Sequence, residues 1–326
     1  MKTIRIHETG GPEVMQLDEI EVPKPGQGEV LVKVAVAGVN FTDIMQRQGV
    51  YMSRADRQQT PFILGVEIAG TVVATGPDVT TPAIGTRVIS LVRGGYAEYA
   101  VADVREVVAI PDSLDFTHAI AFLVQGITAY QLLQDATHLE PGESVLIHSA
   151  AGGVGTLAVQ IAKAHGAGKV IATTGSRDKG ELARSLGADV IVDYRQDNWV
   201  EEVRAATDGK GVDVILEAVG GEIAEQSIAC LGPFGRMAIY GVASTRFASF
   251  AGTQLMHDNQ AIVGYWLTTW LQRREKVAKA QSELIRLASE NRLHPVVRNV
   301  FPLAKAAEAH QAIMTRNTVG KVVLVT

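Results

Sequence analysis

The stretch from 144 to 167, SVLIHSAAGGVGTLAVQIAKAHGA, is the feature that most constrains the fold of this chain. A short apolar run ends in a glycine-rich turn, and an apolar segment with helical periodicity follows it. This pattern predicts the strand, turn and helix that open a dinucleotide-binding unit, whose fingerprint is Gly-x-Gly-x-x-Gly or Ala. Gly152 and Gly155 fit the second and third positions, and Ala150 stands where the first glycine is usual.

Each small residue of this turn has a predicted steric task. Gly152 would let the backbone approach a pyrophosphate, and Gly155 would let the helix pack on the strand. The methyl group of Ala150 is tolerable if its backbone angle stays negative. The alternative is a strand, turn and helix that need small residues for packing alone. The turn residues expected to contact a dinucleotide are Ala150, Gly152, Gly153, Val154 and Gly155.

The pattern around this turn divides the chain into two parts. Residues 1 to about 110 are short β-branched runs separated by turns, which predicts a largely antiparallel β unit. From about 115 helices and strands alternate, which predicts a doubly wound parallel sheet with helices on both faces. The terminal run GKVVLVT resembles the strands of the first part, so we expect the C-terminus to return to it. The predicted fold class is α/β with two domains.

Composition narrows the function classes. A net charge of -5 gives no global basic field for nucleic acid or anionic lipid, and Cys230, the one cysteine, excludes an internal disulfide and a Cys-rich zinc site. We find no run of about 20 apolar residues and no targeting segment. A soluble protein of the reducing cytoplasm is therefore expected.

The segment TGSRDK (174–179) after the second strand of the parallel sheet predicts the type of dinucleotide. A carboxylate there would bind the ribose 2′-OH of NAD, whereas a small strand end with two cations suits a 2′-phosphate. This favours NADP over NAD. Asp178 is an acid in the neighbourhood, but with Glu181 it is expected to form a capping box, and the cations could instead lie on a solvated surface. The expected cofactor contacts here are Gly175, Ser176, Arg177 and Lys179.

Two motifs of the first part resemble those of the medium-chain dehydrogenase/reductase superfamily. GVNFTD (38–43) is similar to its GVCHTD segment and GVEIAG (65–70) to its GHExxG segment. In the zinc-dependent alcohol dehydrogenases these motifs supply Cys and His ligands, where this chain has Asn40 and Val66, and a third ligand would fall near Val124. Valine cannot bind a metal and a lone carboxamide is a poor zinc ligand, so no metal site is expected.

Without the zinc ligands, the chain resembles the zinc-independent quinone oxidoreductases, the zeta-crystallin group. The elements that carry this resemblance are GVNFTDIMQRQGVY, GGYAEYAV, FLVQGITAY, HSAAGGVG and GKVVLVT. The resemblance implies a GroES-like, largely antiparallel β domain from 1–124 and 265–326, and a Rossmann NADP-binding domain from 125–264. It also implies a homodimer or homotetramer, for which RMAIYG (236–241) is a plausible edge strand.

The resemblance also implies cofactor contacts residue by residue. Lys179, Tyr194 and Arg316 match the family residues that bind the 2′-phosphate, and Gln125, Gly126 and Thr128 match the turn that approaches the nicotinamide. The loop after a Rossmann strand and the segment VGYWL would complete the site, although inter-domain packing would equally explain the two aromatic residues. The contacts expected there are Gly241, Val242, Ala243, Tyr265 and Trp266.

Without a metal, a hydride must go to an acceptor that is already electrophilic, and the protein must position it and stabilise the developing oxyanion. The resemblance implies two catalytic candidates. Asn40 is an amide donor that would face the nicotinamide and the acceptor but could also be a turn residue, and Tyr51 matches a tyrosine over the family's substrate cleft but could be a packing residue. The predicted function is NADPH-dependent reduction of quinones or small α,β-unsaturated carbonyls. The alternatives are an enoyl-CoA or enoyl-ACP reductase, and an NADPH-binding protein of low turnover with a structural, membrane-associated or RNA-binding role.

Overall fold

The computed structural model describes residues 1–50 and 58–326, which form two compact units. Unit 1 comprises Met1–Val124 and Pro295–Thr326, and unit 2 comprises Gln125–His294. The sequence prediction assigned 265–294 to the first domain, and the structure differs here. The helix Arg274–Ser289 packs against the helix Thr128–Gln131 of unit 2, so this stretch belongs to unit 2.

The strands of the described residues, numbered along the chain, are β1 (Lys2–Ile6), β2 (Met15–Glu19), β3 (Glu29–Val39), β4 (Phe62–Ile63), β5 (Glu67–Thr75), β6 (Arg87–Leu91), β7 (Tyr99–Asp103), β8 (Val107–Ala109), β9 (Ser144–Ile147), β10 (Lys169–Thr174), β11 (Val190–Asp193), β12 (Val212–Glu217), β13 (Leu231–Ile239), β14 (Ala261–Gly264), β15 (Val297–Pro302) and β16 (Lys321–Val325). The α-helices are α1 (Phe41–Arg47), α2 (Phe116–Ala119), α3 (Thr128–Gln131), α4 (Gly153–Ala164), α5 (Arg177–Ser185), α6 (Trp199–Ala206), α7 (Gly221–Ser227), α8 (Leu267–Trp270), α9 (Arg274–Ser289) and α10 (Ala306–Met314).

Unit 1 is built on a sheet in which the order β15-β16-β3-β5-β6-β8 is completed by β7, which pairs with β3. All pairs except the parallel β15 and β16 are antiparallel. A second sheet, β2-β1-β4, belongs to the same unit. Because β16 lies directly beside β3, the predicted return of the C-terminus to the first domain is confirmed.

Unit 2 contains one six-stranded parallel sheet in the order β11-β10-β9-β12-β13-β14. This is the doubly wound order, with β9 central and the chain reversing direction across the sheet between β9 and β12. The strand β13, which carries RMAI of the predicted edge segment RMAIYG, is an interior strand between β12 and β14. The prediction that it is the sheet edge is therefore wrong, since β14 follows it and covers that side.

One helical stretch, Phe116–Ala136, combines α2, α3 and turns of 3-10 and π type. It has 21 residues and a mean hydropathy of 1.2, so by length and composition it could cross a membrane. No such run was expected from the sequence. In the structure 78% of its apolar window is buried, which is typical of a core helix of a folded domain.

Candidate functional site

The carboxyl edge of the parallel sheet in unit 2 gathers most of the predicted cofactor residues. Parallel strands end on the same edge, and in this fold class ligands bind outside those ends. The glycine turn follows β9, the segment 175–179 follows β10, Tyr194 follows β11 and the loop 241–243 follows β13. The sheet therefore brings together segments that are far apart in sequence.

The turn after β9 shows why its small residues are needed. A Cβ atom at Gly155 would lie 2.3 Å from the carbonyl oxygen of Ser149 and 2.6 Å from Cα of Ala150, so α4 crosses the turn in backbone contact. This confirms the packing task predicted for Gly155. The left-handed backbone lies at Ser149, with φ of 52°, one residue before the methyl group of Ala150. The helix α4 begins after the N-cap Gly152, and its first turn presents N–H groups to this edge.

The side chain of Gln125 is packed onto the start of α4. A Cβ atom at Gly153 would lie 2.2 Å from the amide carbon, nitrogen and oxygen of this carboxamide. Its Oε1 atom is buried and has no hydrogen-bond partner among the described residues. The side chain of Gln125 therefore contacts the glycine turn directly, although the strand β9 lies between them in the sequence.

The residues after β10 and β11 form the second part of this edge. β10 and β11 pair in parallel, with Thr174 opposite Asp193. A Cβ atom at Gly175 would lie 2.9 Å from the hydroxyl oxygen of Tyr194, so the tyrosine ring lies over the glycine. The predicted contacts Gly175 and Tyr194 are neighbours in space.

The N-terminus of α5 differs from the prediction. The N-cap is Ser176, whose hydroxyl accepts a hydrogen bond from the backbone N–H of Lys179 at 3.4 Å. Asp178 lies inside the first turn of the helix, so the predicted capping box of Asp178 and Glu181 is wrong. Glu181 instead binds the guanidinium of Arg177 at 2.8 Å, in an exposed pair.

Asp193 is an acid at the end of β11 that sequence reasoning did not consider. It binds the guanidinium of Arg195 through both carboxylate oxygens, at 2.9 and 2.6 Å for the shortest bond to each. These hydrogen bonds lower the pKa of Asp193 to about 2. Its carboxylate is therefore committed to Arg195, and Arg195 adds a cation beside Tyr194 that was not predicted from the sequence.

Thr128, Gln131 and Tyr265 form a buried polar group in unit 2. The hydroxyl of Tyr265 donates to Oε1 of Gln131 at 2.8 Å and is also hydrogen-bonded to the side chain of Thr128. Burial raises the pKa of Tyr265 well above its usual value. The neighbouring Trp266 is the half-buried N-cap of α8.

The loop after β13 is tied to the end of β12. Ala243 and Ser244 donate their N–H groups to the carbonyls of Ala218 and Val219, at 2.9 and 2.8 Å. Glu217, at the end of β12, accepts the N–H of Val219 at 2.6 Å, and burial raises its pKa to about 7. These bonds hold the predicted contacts Gly241, Val242 and Ala243 at the same edge of the sheet.

Three predicted residues belong to the other part of the chain or fall outside the described residues. Arg316 lies in unit 1 just after α10, is exposed, and has a φ of 57°. Asn40 is the N-cap of α1 in unit 1. Tyr51 lies outside the described residues.

Asn40 is part of a buried charged cluster in unit 1. Its Nδ2 atom donates to Oε1 of Glu67 at 2.7 Å, and its Oδ1 atom accepts from Nζ of Lys321 at 3.0 Å. Lys321 and Glu67 also form a direct ion pair. The three residues are 5%, 0% and 1% exposed for Asn40, Glu67 and Lys321, so the pair is shielded from water.

The donor set at this place does not fit a zinc ion. Val66 and Val124 have no side-chain atom that could bind a metal, and both polar ends of Asn40 are already bonded. The backbone N–H of Val124 donates to Oε2 of Glu67 at 3.0 Å. Within residues 1–50 and 58–326, no group of three or more His, Cys, Asp or Glu side chains could hold a metal ion.

Sequence reasoning missed Glu67 and Lys321. A signal for the acid existed: Glu67 stands in the run VEIAG, whose other residues are apolar, and an acid is buried there only with a partner. The partner could not be found by spacing, because Lys321 is 254 residues away in sequence.

Comparison with known proteins agrees with this architecture. Residues 26–112 match the family model described as alcohol dehydrogenase GroES-like domain, and residues 153–285 match the one described as zinc-binding dehydrogenase. The chain is 34% identical to a quinone oxidoreductase of Pseudomonas aeruginosa, over 99% of both chains. It is 32% identical to a 2-haloacrylate reductase of a Burkholderia species, over 98% of this chain and 97% of that protein.

A solved structure of a quinone oxidoreductase is also similar to this chain over its full length. The crystal structure of Escherichia coli quinone oxidoreductase complexed with NADPH has 32% sequence identity and a TM-score of 0.93, and covers 100% of both chains. Full-length identity, both domain models and the strand order therefore lead to one assignment: this chain belongs to the medium-chain dehydrogenase/reductase superfamily, within its quinone oxidoreductase family.

Proposed function

We propose that this protein is an NADPH-dependent reductase of quinones or small α,β-unsaturated carbonyl compounds that transfers a hydride without a metal ion. The observation that carries this proposal is the side-chain set where zinc-dependent relatives bind their metal. Asn40, Val66 and Val124 offer no ligand set, and the amide of Asn40 is engaged by Glu67 and Lys321.

The carboxyl edge of the parallel sheet supports the choice of cofactor. The N-terminus of α4 and the turn around Gly152 would bind the pyrophosphate. Lys179 and Tyr194 would bind the 2′-phosphate together with Arg316, and no acid ends β10 to favour a 2′-hydroxyl. The related Escherichia coli quinone oxidoreductase forms a complex with NADPH, which supports the same cofactor here. A second group of residues would line the nicotinamide end: Gln125, Thr128 and Tyr265.

NADPH, when bound, supplies the hydride. The residues of this chain would orient the acceptor, exclude water and stabilise negative charge that develops on the acceptor oxygen. Asn40 is the proposed donor to this oxygen, and Tyr51 is proposed as a second contact to the acceptor. The Burkholderia relative is a 2-haloacrylate reductase, and a 2-haloacrylate is an activated alkene, which supports acceptors of this class.

The test is an assay of NADPH oxidation with two acceptors, 1,2-naphthoquinone and crotonyl-CoA. We expect turnover with the quinone, because it needs no metal to become electrophilic. Turnover with the thioester alone would replace this proposal by an enoyl-CoA reductase. Turnover with neither, with NADPH still bound, would favour a binding role.

We further propose a homodimer or homotetramer of the cytoplasm that acts on small molecules and has no nucleic-acid partner. The net charge of -5 supports the last point. Among the described strands, β14 has a neighbour on one side only, so its outer edge is available for pairing. Light scattering of the purified protein tests this, and a monomeric mass would contradict it.

A further inference from the structure

We propose that Lys321 and Glu67 are positioning residues that hold the carboxamide of Asn40 in a single orientation and leave one of its N–H groups for the acceptor. This inference rests on the proposed function for its catalytic meaning. Its structural content, a fixed amide, is tested separately below.

Donor and acceptor chemistry determines the orientation of the amide. An ammonium group can only donate and a carboxylate can only accept. Nζ of Lys321 lies 3.0 Å from Oδ1 of Asn40, and Oε1 of Glu67 lies 2.7 Å from Nδ2. Exchange of the amide oxygen and nitrogen would place N–H against the ammonium and oxygen against the carboxylate. Both contacts would be repulsive, so only the observed orientation is stable.

The pair that fixes the amide is itself fixed. Oε2 of Glu67 accepts the N–H of Val124 at 3.0 Å, so both carboxylate oxygens are used. Gly38 leaves the necessary room, since a Cβ atom there would lie 2.3 Å from Oε1 of Glu67. With Glu67 and Lys321 0% and 1% exposed, neither charge can turn towards water without a large rearrangement of the packed residues around it.

The backbone of Asn40 is held as well. Its N–H donates to Oδ2 of Asp43 at 2.8 Å, and the same oxygen accepts the hydroxyl of Tyr96 at 3.0 Å. Asp43 and Tyr96 are both buried. Side chain and main chain of Asn40 are therefore both anchored, and a donor that needs no reorganisation is the kind that stabilises a developing oxyanion.

The pair uses the oxygen and one N–H of the amide, and a carboxamide has two N–H groups. The second is the group that we assign to the acceptor oxygen. Lys321 and Glu67 would thus affect the rate through Asn40, with no contact of their own to the acceptor.

The direct test is the side-chain amide signal of Asn40 in ¹⁵N-labelled protein, identified by its loss in the Asn40→Ala variant. In the wild-type protein we expect the proton bonded to Glu67 to exchange slowly with solvent. In the double variant Lys321→Met/Glu67→Gln, which removes both charges, its exchange should accelerate at least about tenfold, as expected when a charge-assisted hydrogen bond is replaced by a weaker neutral one. An unprotected amide in the wild-type protein, or unchanged exchange in the double variant, would overturn the proposal whatever the activity is.

A double-mutant cycle with 1,2-naphthoquinone tests the catalytic meaning. We expect Lys321→Met/Glu67→Gln to lower kcat about tenfold, with little change in KM for NADPH. An Asn40 amide that is no longer held in place would retain only part of its stabilisation of the oxyanion. In the Asn40→Ala background the same two changes should lower kcat no further. Additive losses would mean that the pair acts on folding or by another route, and would overturn the positioning role.

Two controls accompany the cycle. Arg236→Met/Glu143→Gln removes a partly buried ion pair of unit 2 and should leave kcat unchanged. Lys321→Arg keeps a cation that only donates, so it should retain most of the amide protection and of the rate. A Lys321→Arg protein that binds NADPH normally but has lost the protection of Asn40 would also contradict the proposal.

Discussion

At the scale of single residues, Asp43 is a buried acid at the end of a chain of hydrogen-bonded side chains that begins at Arg47. Arg47 donates to Nδ1 of His310 at 3.1 Å, so Nε2 carries the imidazole proton and donates to Tyr96 at 3.0 Å. Tyr96 in turn donates to Oδ2 of Asp43. The hydrogen atoms of this buried chain therefore point from Arg47 towards Asp43, and two neutral side chains connect the cation to the acid.

Burial raises the pKa of Asp43 from 3.8 to about 7, against the bonds from Asn40 and Tyr96 that lower it. The folded protein thus prefers the protonated acid. The contribution of protonated Asp43 to the stability of the fold is complete below pH 3.8 and is lost as pH rises through about 7. We expect the free energy of unfolding to fall over this window by at most about 1.4 kcal/mol per pH unit from this group.

The measurement is urea unfolding of the wild-type protein and of Asp43→Asn between roughly pH 4.5 and 8, a window that covers most of the interval between the two pKa values. The difference between the two proteins should decrease with rising pH, because only the wild type loses its proton. A difference that does not depend on pH would show that Asp43 titrates normally.

For the buried His148 of unit 2 we expect the opposite pH dependence of stability. It is bonded to Thr173 and Ser227, each at 2.9 Å, and burial lowers its pKa to about 4. A neutral buried histidine stabilises the fold fully above pH 6.5, and this contribution is lost as pH falls towards 4. The variant His148→Gln should show a weaker loss of stability in acid than the wild type, measured by thermal unfolding from pH 4 to 6.5. An equal loss in both proteins would show that burial does not shift this histidine.

At the scale of elements, the glycine turn makes a prediction that separates two of its residues. Gly155→Ala places a methyl group against backbone atoms of Ser149 and Ala150, which cannot move aside without shifting β9 or α4. We expect a loss of about 2 kcal/mol or more in unfolding free energy, together with weaker NADPH binding. At Gly153 the three atoms nearest to an added Cβ all belong to the flexible carboxamide of Gln125, so Gly153→Ala should cost less.

The double variant Gly153→Ala/Gln125→Ala is the matched control. Removing the carboxamide should relieve the contact and recover stability, whereas Gln125→Ala should not rescue Gly155→Ala. Equal costs for the two glycine variants, measured by thermal unfolding, would show that the close approach of α4 to the turn is not what these positions require.

Local sequence patterns predicted most helices and strands, but they did not predict contacts between residues that are far apart in the sequence. The alternation after residue 115, the turn with Gly155 and the returning strand β16 could all be read from periodicity and glycine positions. The edge strand was assigned wrongly, because β14 has only four residues, AIVG, and an apolar run this short is an ambiguous strand signal even with two β-branched residues. Asn40 was found by resemblance, but its partners Glu67 and Lys321 depend on tertiary contacts that no spacing reveals.

At the scale of the whole molecule, the proposed 2′-phosphate contacts come from segments that are far apart in sequence. Replacing Lys179 or Arg316 with Ala should weaken NADPH binding by about 10- to 100-fold each, the value of a hydrogen bond to a charged group, and leave NADH binding nearly unchanged. Isothermal titration with both nucleotides measures this. Lys305→Ala, an exposed lysine paired with Glu308, is the matched control. Equal losses for NADPH and NADH would remove the 2′-phosphate assignment.

The most direct measurement of metal-free reduction is the steady-state oxidation of NADPH by 1,2-naphthoquinone with protein that has been dialysed against a chelator and checked for zinc by mass spectrometry. We predict that turnover with NADPH persists in the zinc-free protein and exceeds turnover with NADH, since the places of the zinc ligands hold Asn40, Val66 and Val124. Activity that disappears with the chelator and returns with added zinc would contradict metal-free hydride transfer, as would NADPH binding without any reduction of the quinone.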